Sequence, residues 1–126
     1  GYAQEETLAV AQLLLGGVLD RHPALDICIS HGGGTAAFLA EKIDQLAQVD
    51  PTASEGVKQN GFGHELKKLW FDTHVKGEVA AKALRHYAHA DKLVLGTNLG
   101  GFDTPEALSA DAERLSQNAK RLLRLP

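Results

Sequence analysis

Residues Leu25–Phe38, LDICISHGGGTAAF, constrain this chain more than any other stretch. A short apolar run, Ile27, Cys28 and Ile29, ends on Ser30 and His31. Three glycines follow, and Thr35 then opens an apolar helical pattern. The pattern predicts a buried strand that delivers a histidine to its C-terminal edge, followed by a turn tight enough to need Gly32, Gly33 and Gly34. Glycine takes up positive φ without a steric penalty and lets neighbouring groups approach the backbone. In parallel α/β sheets the C-terminal edge is where ligands sit, so His31 is the leading candidate for chemistry.

The rest of the chain repeats the strand-then-helix theme. Leu8, Ala11, Leu15, Val18 and Leu19 predict a helix from about Glu5 to Asp20, stopped by His22-Pro23. After the glycine turn, Thr35 is the expected N-cap of a helix with Leu39, Ile43 and Leu46 on one face, ended by Asp50-Pro51. Residues 51–66 are polar, show no usable period and read as a loop, expected to be a mobile insert. Lys67–Val75 reads as a second strand carrying Trp70 and Phe71 inward. Gly77–Ala90 reads as a helix with Val79, Ala83, Leu84 and Tyr87 on one face. Asp91–Asn98 is the third strand, with the near-continuous apolar run of a parallel strand covered on both sides. Thr104-Pro105 is the expected start of a last helix, carrying Leu108, Leu115, Ala119 and Leu122 inward.

The order is α-β-α-β-α-β-α, and each crossover is long enough for a parallel βαβ unit. At 126 residues the chain is about half the roughly 200 or more that a complete eight-stranded barrel takes. It is therefore either a small three-stranded sandwich or a piece of something larger, and it opens on Gly1 without a methionine. Open strand edges, and an apolar face built from Ile27, Ile29, Trp70 and Val94, predict a homo-oligomer.

A net charge of −3 and a pI near 6.1 argue against nucleic acid or an anionic membrane as the main partner. Cys28 is the only cysteine. No disulfide framework is possible within the chain, a cytoplasmic setting is expected, and Cys28 reads as packing in a buried strand. No apolar run reaches the ~20 residues of a bilayer span.

Several residues could carry chemistry. His31 reads as an acid/base or metal-adjacent imidazole, against a structural histidine bonded to a carbonyl. The glycine loop could instead cradle a phosphate, although it has neither the P-loop ending nor dinucleotide-fold spacing. Gly32, Gly33 and His74 are the candidate substrate-binding positions beside His31. Asp72 and His74 share one face of the second strand and could form a lone metal-binding pair. Asn98 ends the third strand where an aspartate would be a natural metal ligand; as a neutral amide it is a poorer ligand for zinc. Asp103 could replace it or cap the last helix, and capping is the expected role. His22, His64, His86 and His89 are expected to be solvent-exposed.

The segments HPALDICISHGGG, LWFDTHV, DKLVLGTNLGGFD and LSQNAKRLL, in this order, resemble the C-terminal half of the amidohydrolase-2 family, the aminocarboxymuconate-semialdehyde decarboxylase-like metal-dependent hydrolases. The resemblance covers essentially the whole chain, with HGGG and GTN its specific parts. It implies an α/β fold: about three βα units plus a leading helix, the C-terminal part of a (β/α)8 TIM-type barrel. It implies one divalent metal, usually zinc, at the barrel mouth, with an HxH pair and a further histidine supplied upstream of Gly1. Our strands would be the sixth, seventh and eighth. His31 matches the sixth-strand histidine that moves protons, and Asn98 the eighth-strand metal position, where most members carry aspartate. The implied activity is hydrolysis, decarboxylation or hydration of a small carboxylated, aromatic-derived molecule. The alternative is a catalytically inert half-barrel serving assembly, with no metal tightly bound by this chain.

Overall fold

Three parallel strands, each followed by helical segments, form the frame that positions the site. The computed structural model describes residues 1–104 and 107–126. The strands are β1 (Cys28–Ile29), β2 (Trp70–Asp72) and β3 (Leu93–Val94), paired in that order in one sheet. Cys28 lies opposite Trp70, Ile29 opposite Phe71, Phe71 opposite Leu93, and Asp72 opposite Val94. Each strand sits inside its expected stretch but is shorter. Lys67 and Lys68 belong to a 3-10 turn, as do Ala90–Lys92, and beyond β2 the Asp72 carboxylate accepts the His74 N–H at 3.1 Å.

Alternation divides the sheet cleanly. Ile29, Phe71 and Leu93 face the helices and join a core with Val10, Leu14, Phe62, Leu66 and Leu115. Cys28, Trp70, Asp72 and Val94 share the opposite face, as the register requires. The expected inner apolar face is thus corrected: Ile29 belongs to the helix side, and Ile27 packs against that same core. Trp70 is buried on its own face, its indole N–H donating to Asp26 at 2.9 Å. Cys28 is exposed rather than packed, because its face of the edge strand is uncovered. Partial burial and the nearby Asp72 carboxylate nevertheless push its thiol up to about 11, so it is no ready nucleophile.

The leading segment is two helices, α1 (Tyr2–Leu15) and α2 (Val18–Arg21), parted where Gly17 takes φ 66°. The buried face differs from the expected one: Val10 and Leu14 are buried and Leu8 is exposed. Ala3, Glu6 and Thr7 continue the Val10–Leu14 stripe at spacings of three and four, and this mixed stripe meets the glycine turn. Thr35 is no N-cap. Its N–H donates to the Thr7 hydroxyl at 2.8 Å, and α3 begins only at Ala40, running to Val49. Ala40 and Ala47 are buried there with Ile43 packed beside them, while Leu39 and Leu46 face out.

The reading of 51–66 as a polar loop is overturned. The stretch contains α4 (Glu55–Asn60) and α5 (Phe62–Glu65), and Val57, Phe62 and Leu66 are at most 1% exposed. Ser54 caps α4 by accepting from Val57 N at 3.2 Å while donating to the Leu14 carbonyl. Two short helices in different frames, broken at Gly61 (φ 89°), present no single period to read.

α6 (Glu78–Tyr87) buries Leu84, with Tyr87 packed beside the core; Val79, expected inside, is exposed. α7 (Ala112–Leu122) buries Leu115 and Asn118, whose amide donates to the Ala90 and Leu93 carbonyls and ties α7 to β3. Leu108 is exposed and precedes the helix. The expected helix start at Pro105 lies outside the described residues; Thr104 donates to the carbonyls of Asn98 and Gly101. No helix among the described residues is long and apolar enough to cross a membrane.

Candidate active site at the strand ends

The C-terminal ends of β1 and β2 bring two histidines together. His31 follows β1 in a 3-10 turn with φ 48°, a left-handed conformation uncommon outside glycine. The turn is held by contact as well as by conformation. A Cβ on Gly34 (φ 62°) would lie 2.1 Å from the Ala3 carbonyl oxygen, so the start of α1 packs directly on the glycine backbone. A Cβ on Gly32 would lie 2.5 Å from Val75 Cγ1. The N–H of Gly32 donates to Asp72 Oδ1 at 3.2 Å and that of Gly33 to the Ser30 carbonyl at 2.9 Å. Both amides are used internally, and both glycines are buried against neighbouring side chains. The loop makes no phosphate cradle, since α3 starts nine residues after His31.

Glu6 on α1 reaches across to this turn. Its Oε1 lies 2.7 Å from His31 Nδ1 and accepts the Ser30 hydroxyl at 2.6 Å. A carboxylate only accepts, so Nδ1 carries the proton of that bond. The Glu6 side chain is 14% exposed, and among the described residues its buried second oxygen has no hydrogen-bond partner. The His31 side chain remains 33% exposed. The hydrogen bond to Glu6 raises the His31 pKa above its ordinary value despite some opposing desolvation, with the charges of Glu6, Asp72 and Asp103 acting in the same direction.

His74 stands edge-on to His31, ring centroids 5.3 Å apart, and the Tyr2 ring is tilted against His31 at 5.0 Å. Its side chain is only 7% exposed, and Nε2 donates to Asp103 Oδ2 at 3.0 Å. Asp103 also accepts from the Asn98 amide. These two bonds, with the Lys76 charge nearby, hold the Asp103 carboxyl below the usual range. Asp103 therefore bridges the ends of β2 and β3 instead of capping the last helix, which begins nine residues later at Ala112 with Asp111 as its N-cap. Asn98 takes φ 47°, a conformation asparagine tolerates better than most residues. His22, His64, His86 and His89 are exposed.

Sequence reasoning brought out His31, His74 and Asn98, and the structure gathers the two histidines with Asp103 between His74 and Asn98. It missed Glu6, a carboxylate lying with Thr7 on the Val10–Leu14 stripe.

The fold and the site define a class: a sector of a parallel βα barrel whose strand ends carry polar, titratable side chains. A sequence profile of the amidohydrolase family matches residues 1–125, and the chain belongs to that family. It is 32% identical over 98 residues to a 2-amino-3-carboxymuconate-6-semialdehyde decarboxylase of Dictyostelium discoideum, covering 78% of this chain and 27% of the relative. It is 26% identical over 98 residues to a 6-methylsalicylic acid decarboxylase of Penicillium expansum, covering 77% and 30%. The fold superposes on apo IDCase of Metarhizium anisopliae with a TM-score of 0.75 and 27% identity, covering 97% of this chain and 40% of that one. An amidohydrolase II structure shares the fold at a TM-score of 0.70 and 22% identity, with 98% of this chain and 43% of that chain covered. The chain thus spans less than a third of either decarboxylase and forms part of a TIM-type barrel.

The family generally uses a divalent metal, and the side chains here do not by themselves make a site for one. Among the described residues no three His, Cys, Asp or Glu side chains converge to hold an ion. His31 Nδ1 is engaged by Glu6, and His74 Nε2 and the Asn98 amide by Asp103. Asp72 and His74 share a face but act as a turn, the Asp72 carboxylate bonding backbone N–H groups, and not as a metal pair.

Proposed function

We propose that the barrel to which this sector belongs removes a carboxyl group from a small carboxylated, aromatic-derived substrate, with His31 as the proton donor. The observation that carries the reading is His31 itself: a half-exposed imidazole at a strand end, anchored through Nδ1 and favouring its protonated form. In decarboxylation the C–CO2 bond breaks, carbon dioxide leaves, and a proton replaces it on the carbon. A histidine whose pKa is raised by a carboxylate bond is suited to give that proton, and such groups contribute about 10²–10⁴-fold. The decarboxylase relatives support C–C cleavage over the hydrolysis and hydration that the family also includes. Lys76 and Arg85 line a cleft of about 210 Å³ beside His74, a charge suited to a substrate carboxylate.

Any metal of the parent enzyme would take its ligands from outside this chain, and zinc is the metal the family reading favours. The test is release of carbon dioxide from a carboxylated arene such as 6-methylsalicylate by the full-length parent, with and without His31→Asn. Turnover that falls at least 100-fold in the variant supports the reading. Full turnover in His31→Asn, or hydrolysis of amides without loss of carbon dioxide, overturns it.

A second reading, an inert module acting only in assembly, is favoured by the absence of a convergent metal set among the described residues. It predicts that the isolated chain folds and has no turnover of its own. Among the described residues β1 and β3 have unpaired outer edges, which support self-association of the isolated chain. Light scattering on the pure chain should show a species larger than a monomer; a monodisperse monomer at high micromolar concentration removes this part of the proposal.

A further inference from the structure

We propose that Glu6 is the positioning residue of His31: its carboxylate fixes the imidazole with the proton on Nδ1 and leaves Nε2 as the atom that exchanges protons with substrate. This rests on His31 being the acid of the proposed reaction, but its geometry stands apart from any activity.

The contact is built, not incidental. Glu6 Oε1 sits 2.7 Å from Nδ1, and the Ser30 hydroxyl donates to the same oxygen at 2.6 Å. The carboxylate is held in place because α1 is seated on the glycine turn: Gly34 abuts the Ala3 carbonyl, and Thr7 takes the Thr35 N–H at 2.8 Å. Among the described residues His31 Nε2 has no hydrogen-bond partner, and the ring packs against those of Tyr2 and His74 at centroid distances of 5.0 and 5.3 Å. One nitrogen is thus anchored and the other is free, the arrangement a reversible proton donor requires. Among the described residues the second oxygen of Glu6, Oε2, is buried with no hydrogen-bond partner.

The charged and titratable groups facing His31 are Glu6 from α1, Asp72 from β2, His74 just after it, Tyr2, and Asp103 from the loop after β3. Of these only Glu6 bonds the ring directly, so its removal should dominate any change. A purely structural tether would bind α1 to Ser30 equally well with the proton on either ring nitrogen. The tautomer separates the two roles.

The experiment is ¹⁵N-resolved NMR of the His31 side chain across pH 5–9 in the wild-type chain and in Glu6→Gln, with His31→Asn supplying the assignment. In the wild type the neutral ring should carry its proton on Nδ1, and its midpoint should lie above that of a free histidine. Glu6→Gln should lower that midpoint by about one pH unit, the scale of losing one adjacent opposite charge, and mix the tautomers. A wild-type neutral ring protonated on Nε2 overturns the proposal without any variant, which covers the case of a Glu6→Gln chain that fails to fold. An unchanged midpoint and tautomer in a folded Glu6→Gln chain also overturns it. The readout is independent of turnover: the expected tautomer with a fully active His31→Asn parent would sink the proposed reaction and leave the positioning intact.

Discussion

The two histidines at the strand ends are each paired with a carboxylate, and the pairs are built in opposite ways. His31 is a third exposed, meets Glu6 through Nδ1 and keeps Nε2 free. His74 is sunk among its neighbours and meets Asp103 through Nε2. Glu6 comes from a helix whose seat on the glycine turn is fixed by backbone contact. Asp103 comes from a loop and is shared with Asn98, so the His74 pair ties the ends of β2 and β3 together. The same two residue types thus leave one ring nitrogen open to solvent in one place and tie two strand ends together in the other. Which ring nitrogen is anchored, and how much water reaches the other, decides between them.

The largest expected effect comes from unseating the first pair without touching it. In Gly34→Val the new Cβ would sit 2.1 Å from the Ala3 carbonyl oxygen, a backbone atom that cannot swing aside. The residue would also be held at φ 62°, which a β-branched side chain resists. A loss of stability on the order of 3 kcal/mol is expected, seen as a lower midpoint in urea. A near-native midpoint would mean that α1 is free to shift, and that the Glu6–His31 contact is looser than the geometry shows.

Next come the histidines themselves. In the full-length parent His31→Asn should cut kcat by roughly 100-fold or more with little change in Tm, while His74→Asn should lower Tm with the smaller direct effect on chemistry. Equal falls in kcat with unchanged Tm in both would erase the distinction between donor and strut. A cheaper version uses Asp103→Asn. It should lower Tm by loosening the β2–β3 ends and leave the His31 tautomer in place. Loss of the His31 anchoring in that variant would show the two pairs to be one coupled unit.

How much of this could be read from residues alone follows from what each element depends on. The His31 turn was legible because a strand ending in histidine and three glycines has few other ways to fold. The partition of the sheet was half legible: alternation gives two faces, but only the register assigns Ile29 to the helices and Cys28 to the open side. Glu6 was hidden because apolar periodicity ignores a carboxylate lying on the buried stripe, so Leu8 was taken for the inward face. The helices at 55–65 were hidden because Gly61 resets the frame between Val57 and Phe62. Asp103 was visible as a residue but not as a bridge, since its partner depends on how a glycine-rich loop folds back, which no local pattern encodes.

The smallest expected effect is a pH dependence of stability, and its two limbs separate the pairs once more. The His31 pKa is raised in the folded chain, chiefly by the Glu6 bond. The protonated form is therefore bound more tightly folded than unfolded, and this contribution is fully present below the unfolded value of about 6.5. It fades as pH rises through the higher folded value. The Asp103 pKa is lowered, chiefly by Asn98 and with help from His74. Its contribution is present above the ordinary aspartate range and is lost as pH falls through the depressed folded value. Both groups are partly exposed, so solvent screening should keep each limb a shallow slope. In urea titrations from pH 3 to pH 9, the stability gap between wild type and His31→Asn should narrow from the mildly acidic side toward pH 9. The gap between wild type and Asp103→Asn should narrow only at the acid end. A His31 gap that widened with rising pH would mean that the neutral imidazole is the favoured form, and that Glu6 does not hold the proton where the geometry places it.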